Sequence, residues 1–319
     1  MPALAVAKAA NTATLASFPP SFTPTALFLG GTSGIGQAMA ESFAHHTKGN
    51  SRIIIVGRNR SAAESTIAAF PKPSGGGDET EHEFVECDAT FMDNVHATTK
   101  ELLGRLTKLN YLVLSPGFLT LKGRDETSEG IDKKLALNYY ARWAFIYDLL
   151  PLLQKTKQSG EDVSVITIMA AGQGGEIDWN DLGLKKGYGL ASAATGVVTY
   201  TDYMLESFSK QNPTIPFVHT FPGLVRTPIT ANVTGLPGPI NFILNTLLYP
   251  FQASPQDCAE WMLYAMWQGS EAGGGAWRRG PRGDELGRPS FIEEGGGEKG
   301  VKLWEHTVRE TRSVPVQPS

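Results

Sequence analysis

The feature that most constrains this chain is a glycine-rich turn between an apolar run and an amphipathic one. Leu27-Phe28-Leu29 leads into Gly30-Gly31-Thr32-Ser33-Gly34-Ile35-Gly36, and residues 37–44 continue with helical spacing. The order is strand, tight turn, helix. Glycines at 30, 34 and 36 leave no Cβ to hold a phosphate away from the backbone, and the N–H groups at a helix start point toward an anion. A second β-branched run follows about 20 residues later, the context that gives such a turn meaning.

The rest of the chain repeats this alternation. Strands are expected at 26–29, 52–56, 83–87, 111–114, 163–168 and 217–220. Helices are expected at 34–48, 60–70, 93–106, about 128–150, 188–208, 254–267 and 301–311, with Pro151 near the end of the fourth. The pattern predicts an α/β fold: a doubly wound parallel sheet in three layers, with ligands at the carboxyl ends of the strands. Residues 1–24 read as a loose, flexible arm, either irregular or part helical, 25–270 as one Rossmann-like domain, and the Gly- and Arg-rich 271–319 as an extension of that domain. The proline-broken stretch 224–253 carries an apolar run, Phe242–Tyr249, which reads either as a packed surface helix or as a lid over an apolar substrate.

Composition narrows the function. A net charge of −4 and a pI near 5.9 argue against nucleic acid or an anionic membrane surface as partner. Cys87 and Cys258 make neither a disulfide framework nor a zinc set, which fits a reducing, cytoplasmic setting. The first residues lack the apolar core of a signal peptide, and there is no membrane-spanning run. In that setting the acceptor sequence Asn232-Val233-Thr234 would go unused. Histidine and cysteine spacings give no metal site.

Taken together, the landmarks resemble the short-chain dehydrogenase/reductase family over roughly residues 25–270. Gly30, Thr32, Ser33, Gly34, Ile35 and Gly36 are similar to its cofactor turn. The resemblance makes Asp88 the acid at the adenine ring. It sets Ser115-Pro116-Gly117 where the family has Asn-Ala-Gly, bringing Ser115 and Gly117 to the cofactor. Asn138 stands at the catalytic Asn, and the segment Pro222, Gly223 to Thr227 at the nicotinamide carboxamide. The second strand ends in Gly57-Arg58-Asn59-Arg60 without an acid. Arg58 suits a ribose 2′-phosphate, so the expected cofactor is NADP(H). The family usually pairs through its long helices, here 128–150 and 188–208, which implies a homodimer.

The catalytic pattern departs from the family. Its Ser falls on Ala170 or Met169. Tyr188 matches the catalytic Tyr, but the Lys four residues later is Ser192. Lys185 and Lys186 could fold toward Tyr188, or could simply be solvated loop residues. Gln173 and Ser192 are polar candidates for holding a substrate oxygen. Bringing a free phenol, pKa about 10, near neutrality takes roughly 4 kcal/mol. A helix N-terminus supplies about 0.3–1 kcal/mol. Tyr188 is therefore expected to donate a proton in reduction and to be a poor base for alcohol oxidation.

The expected function is an NADP(H)-dependent reductase of a hydrophobic carbonyl substrate, with Tyr188, Asn138 and Ser192 as catalytic candidates. Two alternatives stay open: a cyclase, isomerase or dehydratase that keeps the fold and loses hydride transfer, and a cofactor-binding protein without catalysis. The departures also resemble a divergent fungal branch of the family, some of whose members serve secondary metabolism.

Overall fold

The computed structural model describes residues 2–19, 22–73, 80–231, 237, 240 and 246–313. The Asn232-Val233-Thr234 sequence and much of the apolar run from Phe242 lie outside the described residues.

Seven parallel strands form one sheet in the order β3-β2-β1-β4-β5-β6-β7. They are β1 (Thr25–Leu29), β2 (Arg52–Gly57), β3 (Glu83–Glu86), β4 (Tyr111–Leu114), β5 (Ser164–Ile168), β6 (Pro216–Thr220) and β7 (Gly275–Arg279). Because side chains alternate along a strand, Leu27 and Leu29 enter one core and Ala26 and Phe28 the other. One face carries α2 (Gly34–His46) and α9 (Pro255–Glu271), and the other carries α4 (Met92–Arg105), α6 (Ala141–Gln158) and α7 (Leu190–Gln211). A strand covered on both faces is apolar throughout, and β1 is buried at every residue. The strand order reverses between β1 and β4, which opens a crevice at their carboxyl ends. Among the described residues no helix is long and apolar enough to cross a membrane, and no cluster of three His, Cys, Asp or Glu could hold a metal.

Several elements differ from the sequence expectations. Residues 1–24 contain helix α1 (Leu4–Ala16), with Ala7, Asn11 and Leu15 buried. It docks on α9 through Asn11, whose Nδ2 donates to the Glu260 carbonyl at 2.9 Å and carboxylate at 2.7 Å. The arm is thus largely helical rather than loose, and its stability is tertiary. The helix expected from 128 starts at 133, as α5 (Lys133–Leu135), a π turn (Ala136–Tyr140) and then α6, which runs through Pro151 to Gln158. Pro151 lies on the exposed side, where its ring meets solvent rather than the core. β7 was not expected at all: its sequence, Gly-Ala-Trp-Arg-Arg, reads as loop. Its arginines pair inside, Arg278 with Asp202 at 2.8 Å and Glu206 at 2.9 Å.

The short helices α3 (Arg60–Ala68) and α8 (Pro228–Ala231) follow β2 and β6 in the chain. The last helix, α10 (Gly297–Thr311), lies across α6 and α7. Trp304 packs its ring on Trp143 at 5.1 Å, Tyr147 at 5.8 Å and Phe208 at 4.9 Å. The pair of helices expected to form a dimer face is thus covered from within the same chain.

Candidate active site

A cavity of about 770 Å³ opens at the carboxyl ends of β1, β4, β5 and β6. Gly30, Thr32, Ser33, Gly34 and Ile35 form its floor at the start of α2. Gly30 has φ +82°, and a Cβ there would sit 2.7 Å from the Pro116 nitrogen. Gly36 lies behind the turn instead of on the cavity. A Cβ at 36 would meet the Gly30 carbonyl at 2.5 Å, so this glycine lets the helix close on the strand. The N-cap Ser33 makes no side-chain hydrogen bond into α2, whereas Asn59, Asp132 and Ser254 do so for α3, α5 and α9. Among the described residues the first-turn N–H groups of α2 thus receive no acceptor from their N-cap side chain, the chemistry that a pyrophosphate completes.

The remaining cofactor candidates gather around the same opening. Arg58, Asp88, Ser115, Gly117, Pro222, Gly223 and Thr227 all line the cavity. Arg58 is 70% exposed at the end of β2, 3.8 Å from Asp88. Thr32, Ser33, Arg58, Asn59 and Arg60 surround an adjoining hollow. Two cations and two hydroxyls there fit a phosphate monoester. Asp88 Oδ1 accepts from the Thr90 N–H at 3.1 Å and hydroxyl at 2.5 Å, which fixes the carboxylate after β3.

The catalytic candidates divide. Asn138 lines the cavity from the π turn, beside Gly117, where a Cβ would lie 3.1 Å from Asn138 Oδ1. Met169 and Ala170 line it without a hydroxyl. Ser192 does not line it. Its Oγ accepts the Gly189 N–H at 2.8 Å and lies 3.0 Å from the Gly189 carbonyl, so it caps α7. Gln173 is exposed and does not line the cavity. Lys185 points outward to Glu310 at 3.4 Å, and Lys186 is exposed. Tyr188 precedes α7 and is half-buried. It is held by a turn in which Asp181 accepts the N–H groups of Lys185, Lys186 and Gly187 at 2.7–2.9 Å. Tyr188 itself does not line the cavity.

Two residues that sequence reasoning missed do line it. Lys134, 9% exposed, donates from Nζ to the Lys122 carbonyl at 2.8 Å, the Gly123 carbonyl at 3.4 Å and the Tyr188 hydroxyl. Its ammonium also lies 4.9 Å from the centre of the Tyr188 ring. Asp132 sets the start of this turn by accepting the Lys134 N–H at 3.0 Å. The signal in the sequence was the spacing: Lys134 and Asn138 are four apart, hence on one helix face.

Arg142, one turn beyond Asn138, is 2% exposed. It donates to the Leu114 and Pro116 carbonyls at 2.8 and 2.5 Å and to Thr167 Oγ1 at 2.5 Å, tying together the ends of β4 and β5. Burial pulls its guanidinium down to about 9. Behind Ala170, His219 Nε2 accepts the Ala170 N–H at 3.4 Å while Nδ1 meets Asp202 at 2.9 Å. Both histidine nitrogens are thus spent on structure, as expected for a satisfied core residue.

The cavity wall is otherwise apolar. Leu119, Leu121, Leu190, Leu224 and Ile229 line it and are each 40–50% exposed, which makes a greasy mouth.

The family profile described as enoyl-(acyl carrier protein) reductase matches residues 30–274. An oxidoreductase of Emericella nidulans is 37% identical over 227 residues, 71% of this chain and 65% of that protein, just under two thirds of its length. A short-chain dehydrogenase/reductase of Stachybotrys chartarum is 27% identical over 97% of this chain and 96% of its own. Among solved structures, a 3-ketoacyl-(acyl-carrier-protein) reductase of Brucella melitensis complexed with NADH superposes with a TM-score of 0.58. It is 18% identical and covers 82% of this chain and 98% of its own.

Proposed function

The chain belongs to the short-chain dehydrogenase/reductase family, and on that premise we propose that it is an NADP(H)-dependent reductase of a hydrophobic carbonyl compound. The observation that carries the reading is the α2 turn, whose N-cap Ser33 makes no side-chain hydrogen bond into the helix and which opens on a cavity also lined by Arg58, Lys134 and Asn138. The N–H groups of Gly34 and Ile35 would hold the pyrophosphate. Arg58 and Arg60, with Thr32 and Ser33, would hold the 2′-phosphate, and no carboxylate at the end of β2 would repel it. Asp88 would meet the adenine end, and Ser115, Gly117 and the Pro222–Thr227 segment would frame the nicotinamide end. When bound, the reduced dinucleotide supplies a hydride.

The chain's own residues supply the rest. Asn138 presents its amide to the cavity, and the Lys134–Tyr188 pair is the proton source. The apolar mouth of Leu119, Leu121, Leu190, Leu224 and Ile229 favours a substrate with a large apolar body. Its fungal relatives and the missing serine hydroxyl fit a specialised substrate of secondary metabolism, handled in the cytoplasm.

Fluorescence titration tests the cofactor, and absorbance of the reduced nicotinamide tests the reaction against a panel of hydrophobic ketones. NADPH is expected to bind more tightly than NADH and to be consumed with ketone. Absence of binding by either dinucleotide contradicts the reading. Conversion of substrate without NADPH consumption would replace it with an isomerase, cyclase or dehydratase.

A further inference from the structure

We propose that Arg142 is a positioning residue of the reductase, whose buried guanidinium clamps the turn at 115–117 and so sets the nicotinamide end of the site. The inference rests on the reductase reading and adds to it a residue that need not touch substrate or cofactor. Three arginines are buried among the described residues: Arg142, Arg278 and Arg279. Arg278 meets Asp202 and Glu206, and Arg279 meets Glu285. Arg142 has no carboxylate partner among the described residues. Burial is the one influence on its pKa, which is pulled down to about 9 and leaves the group protonated near neutrality.

A buried cation without a counter-ion gives up its hydration for little return. Arg142 offsets the loss with uncharged acceptors that converge at one point of the fold. Leu114 and Thr167 are the last residues paired between β4 and β5. One terminal nitrogen of the guanidinium bonds the Leu114 carbonyl at 2.8 Å and Thr167 Oγ1 at 2.5 Å, across that rung. The other reaches past the strand to the Pro116 carbonyl at 2.5 Å. A lysine or an amide would bring a single donor nitrogen here. The planar guanidinium brings two, one to the rung and one to the turn.

The turn so held has little slack. The Ser115 N–H donates to the Leu29 carbonyl at 2.9 Å, which joins the turn to β1. On one side a Cβ at Gly30 would lie 2.7 Å from the Pro116 nitrogen. On the other a Cβ at Gly117 would lie 3.1 Å from Asn138 Oδ1. A shift of Pro116 therefore displaces the backbone at Gly30 or the Asn138 amide, and both residues line the cavity. Asn138 lies in the π turn and Arg142 one turn on, so one helix presents the amide and anchors the turn beside it. Arg58 and Asp88 follow β2 and β3, outside this chain of contacts. Binding of the dinucleotide and placement of its nicotinamide are thus separable.

Arg142→Ala is expected to bind NADPH with close to wild-type affinity in a fluorescence titration. Emission of the bound nicotinamide should shift, because the ring sits differently. Single-turnover reduction of a hydrophobic ketone at saturating NADPH should fall about 100-fold, the loss that a misplacement of about 1 Å produces. Guanidinium chloride at millimolar concentration should restore part of the rate and of the emission, and methylammonium chloride should not. Arg142→Lys should stay impaired, since it keeps the charge and loses the fork. Where Arg142→Ala does not fold, Arg142→Gln takes its place in the titration, emission and rate measurements. A variant as fast as wild type with unshifted emission overturns the proposal. So does a rate loss matched by an equal loss of NADPH affinity and unmoved by guanidinium, the mark of general damage. A wild-type protein that binds NADPH but reduces no ketone refutes the reductase reading itself, and the emission comparison then still decides whether Arg142 sets the nicotinamide.

Discussion

Lys134 Nζ donates to the Tyr188 hydroxyl across 54 residues of sequence. The contact joins the turn before Asn138 to the turn before α7. It also fastens the loop after β4, because the same nitrogen holds the carbonyls of Lys122 and Gly123. Hydrogen bonds from a charged donor contribute about 1.5–3 kcal/mol each when partly buried. Lys134→Met should therefore loosen the loop at 117–127 without unfolding the sheet. Hydrogen exchange read by mass spectrometry should show faster exchange in that loop and unchanged protection in β1 and β4. Equal protection in both proteins would mean the lysine does not hold the loop.

Cofactor choice rests on Arg58. Its guanidinium is mostly exposed and its nearest carboxylate, Asp88, is 3.8 Å away, so the ion pair competes weakly with a phosphate. Arg58→Ala is expected to weaken NADPH binding about tenfold or more and to leave NADH nearly unchanged, the loss of one charge-assisted contact. Parallel titrations read this directly. An equal loss for both dinucleotides would assign Arg58 to the shared part of the cofactor.

The third prediction concerns pH. His96 on α4 lies 2.7 Å from Asp148 on α6 and 2.7 Å from the Thr311 carbonyl at the end of α10. The hydrogen bond to Asp148 raises the imidazole above its ordinary value, against an opposing effect of burial, with the Thr311 carbonyl and Asp93 adding to the rise. A raised folded-state pKa means the folded protein binds the proton more tightly than the unfolded chain. The stabilisation is fully present below about pH 6.5 and is lost as pH rises through the raised value. Thermal unfolding of wild type and His96→Gln should differ most in mild acid and converge in alkali. A constant gap across that range would show that the proton does not matter.

Helix α10 bears on assembly. Trp304 fills the groove between α6 and α7, while Tyr139 and Tyr140 of the π turn bond Thr307 at 2.8 Å and His306 at 2.7 Å. A dimer through α6 and α7 would have to displace these contacts. Sedimentation should give a single-chain mass at micromolar concentration. Trp304→Ala should lower stability by about 2–4 kcal/mol, the range for removing a large, partly buried aromatic ring. A stable wild-type dimer whose α6 and α7 are protected on association would contradict this.

The N-terminal helix is expected to be part of the folded unit. Glu260 accepts from Asn11 at 2.7 Å and lies 3.0 Å from His46, and these hydrogen bonds hold its carboxyl low despite burial. Asn11→Ala leaves this carboxylate short of a donor and should cost about 1–3 kcal/mol in chemical denaturation. No change would mean that α1 rests on the domain without stabilising it.

How much of this was legible follows from the range of each signal. The central strands stood out because buried parallel strands are largely apolar runs, as Arg52–Gly57 is, while β3 at the sheet edge keeps only Phe84 and Val85 between two glutamates. The glycine turn was legible because its constraints are steric and local. β7 was not, since Arg278 is buried by partners on α7, over 70 residues earlier, and Arg279 by its pairing with Glu285. Lys134 was missed for the same reason. The spacing along α7 offers only Ser192 and the preceding loop offers Lys185 and Lys186, whereas the cation beside Tyr188 comes from the turn before Asn138. Ser192, a catalytic candidate by its place where the family has Lys, caps α7. The docking of α1 and α10 depended on tertiary partners that no short window contains.

The central claim is hydride transfer from NADPH to a carbonyl carbon at this cavity. The most direct measurement uses NADPH deuterated at the transferred position, a hydrophobic ketone that the protein consumes, and mass spectrometry of the product. The account predicts one deuterium on the carbinol carbon for each NADPH oxidised. A converted product that carries no deuterium, with NADPH left unoxidised, would contradict it.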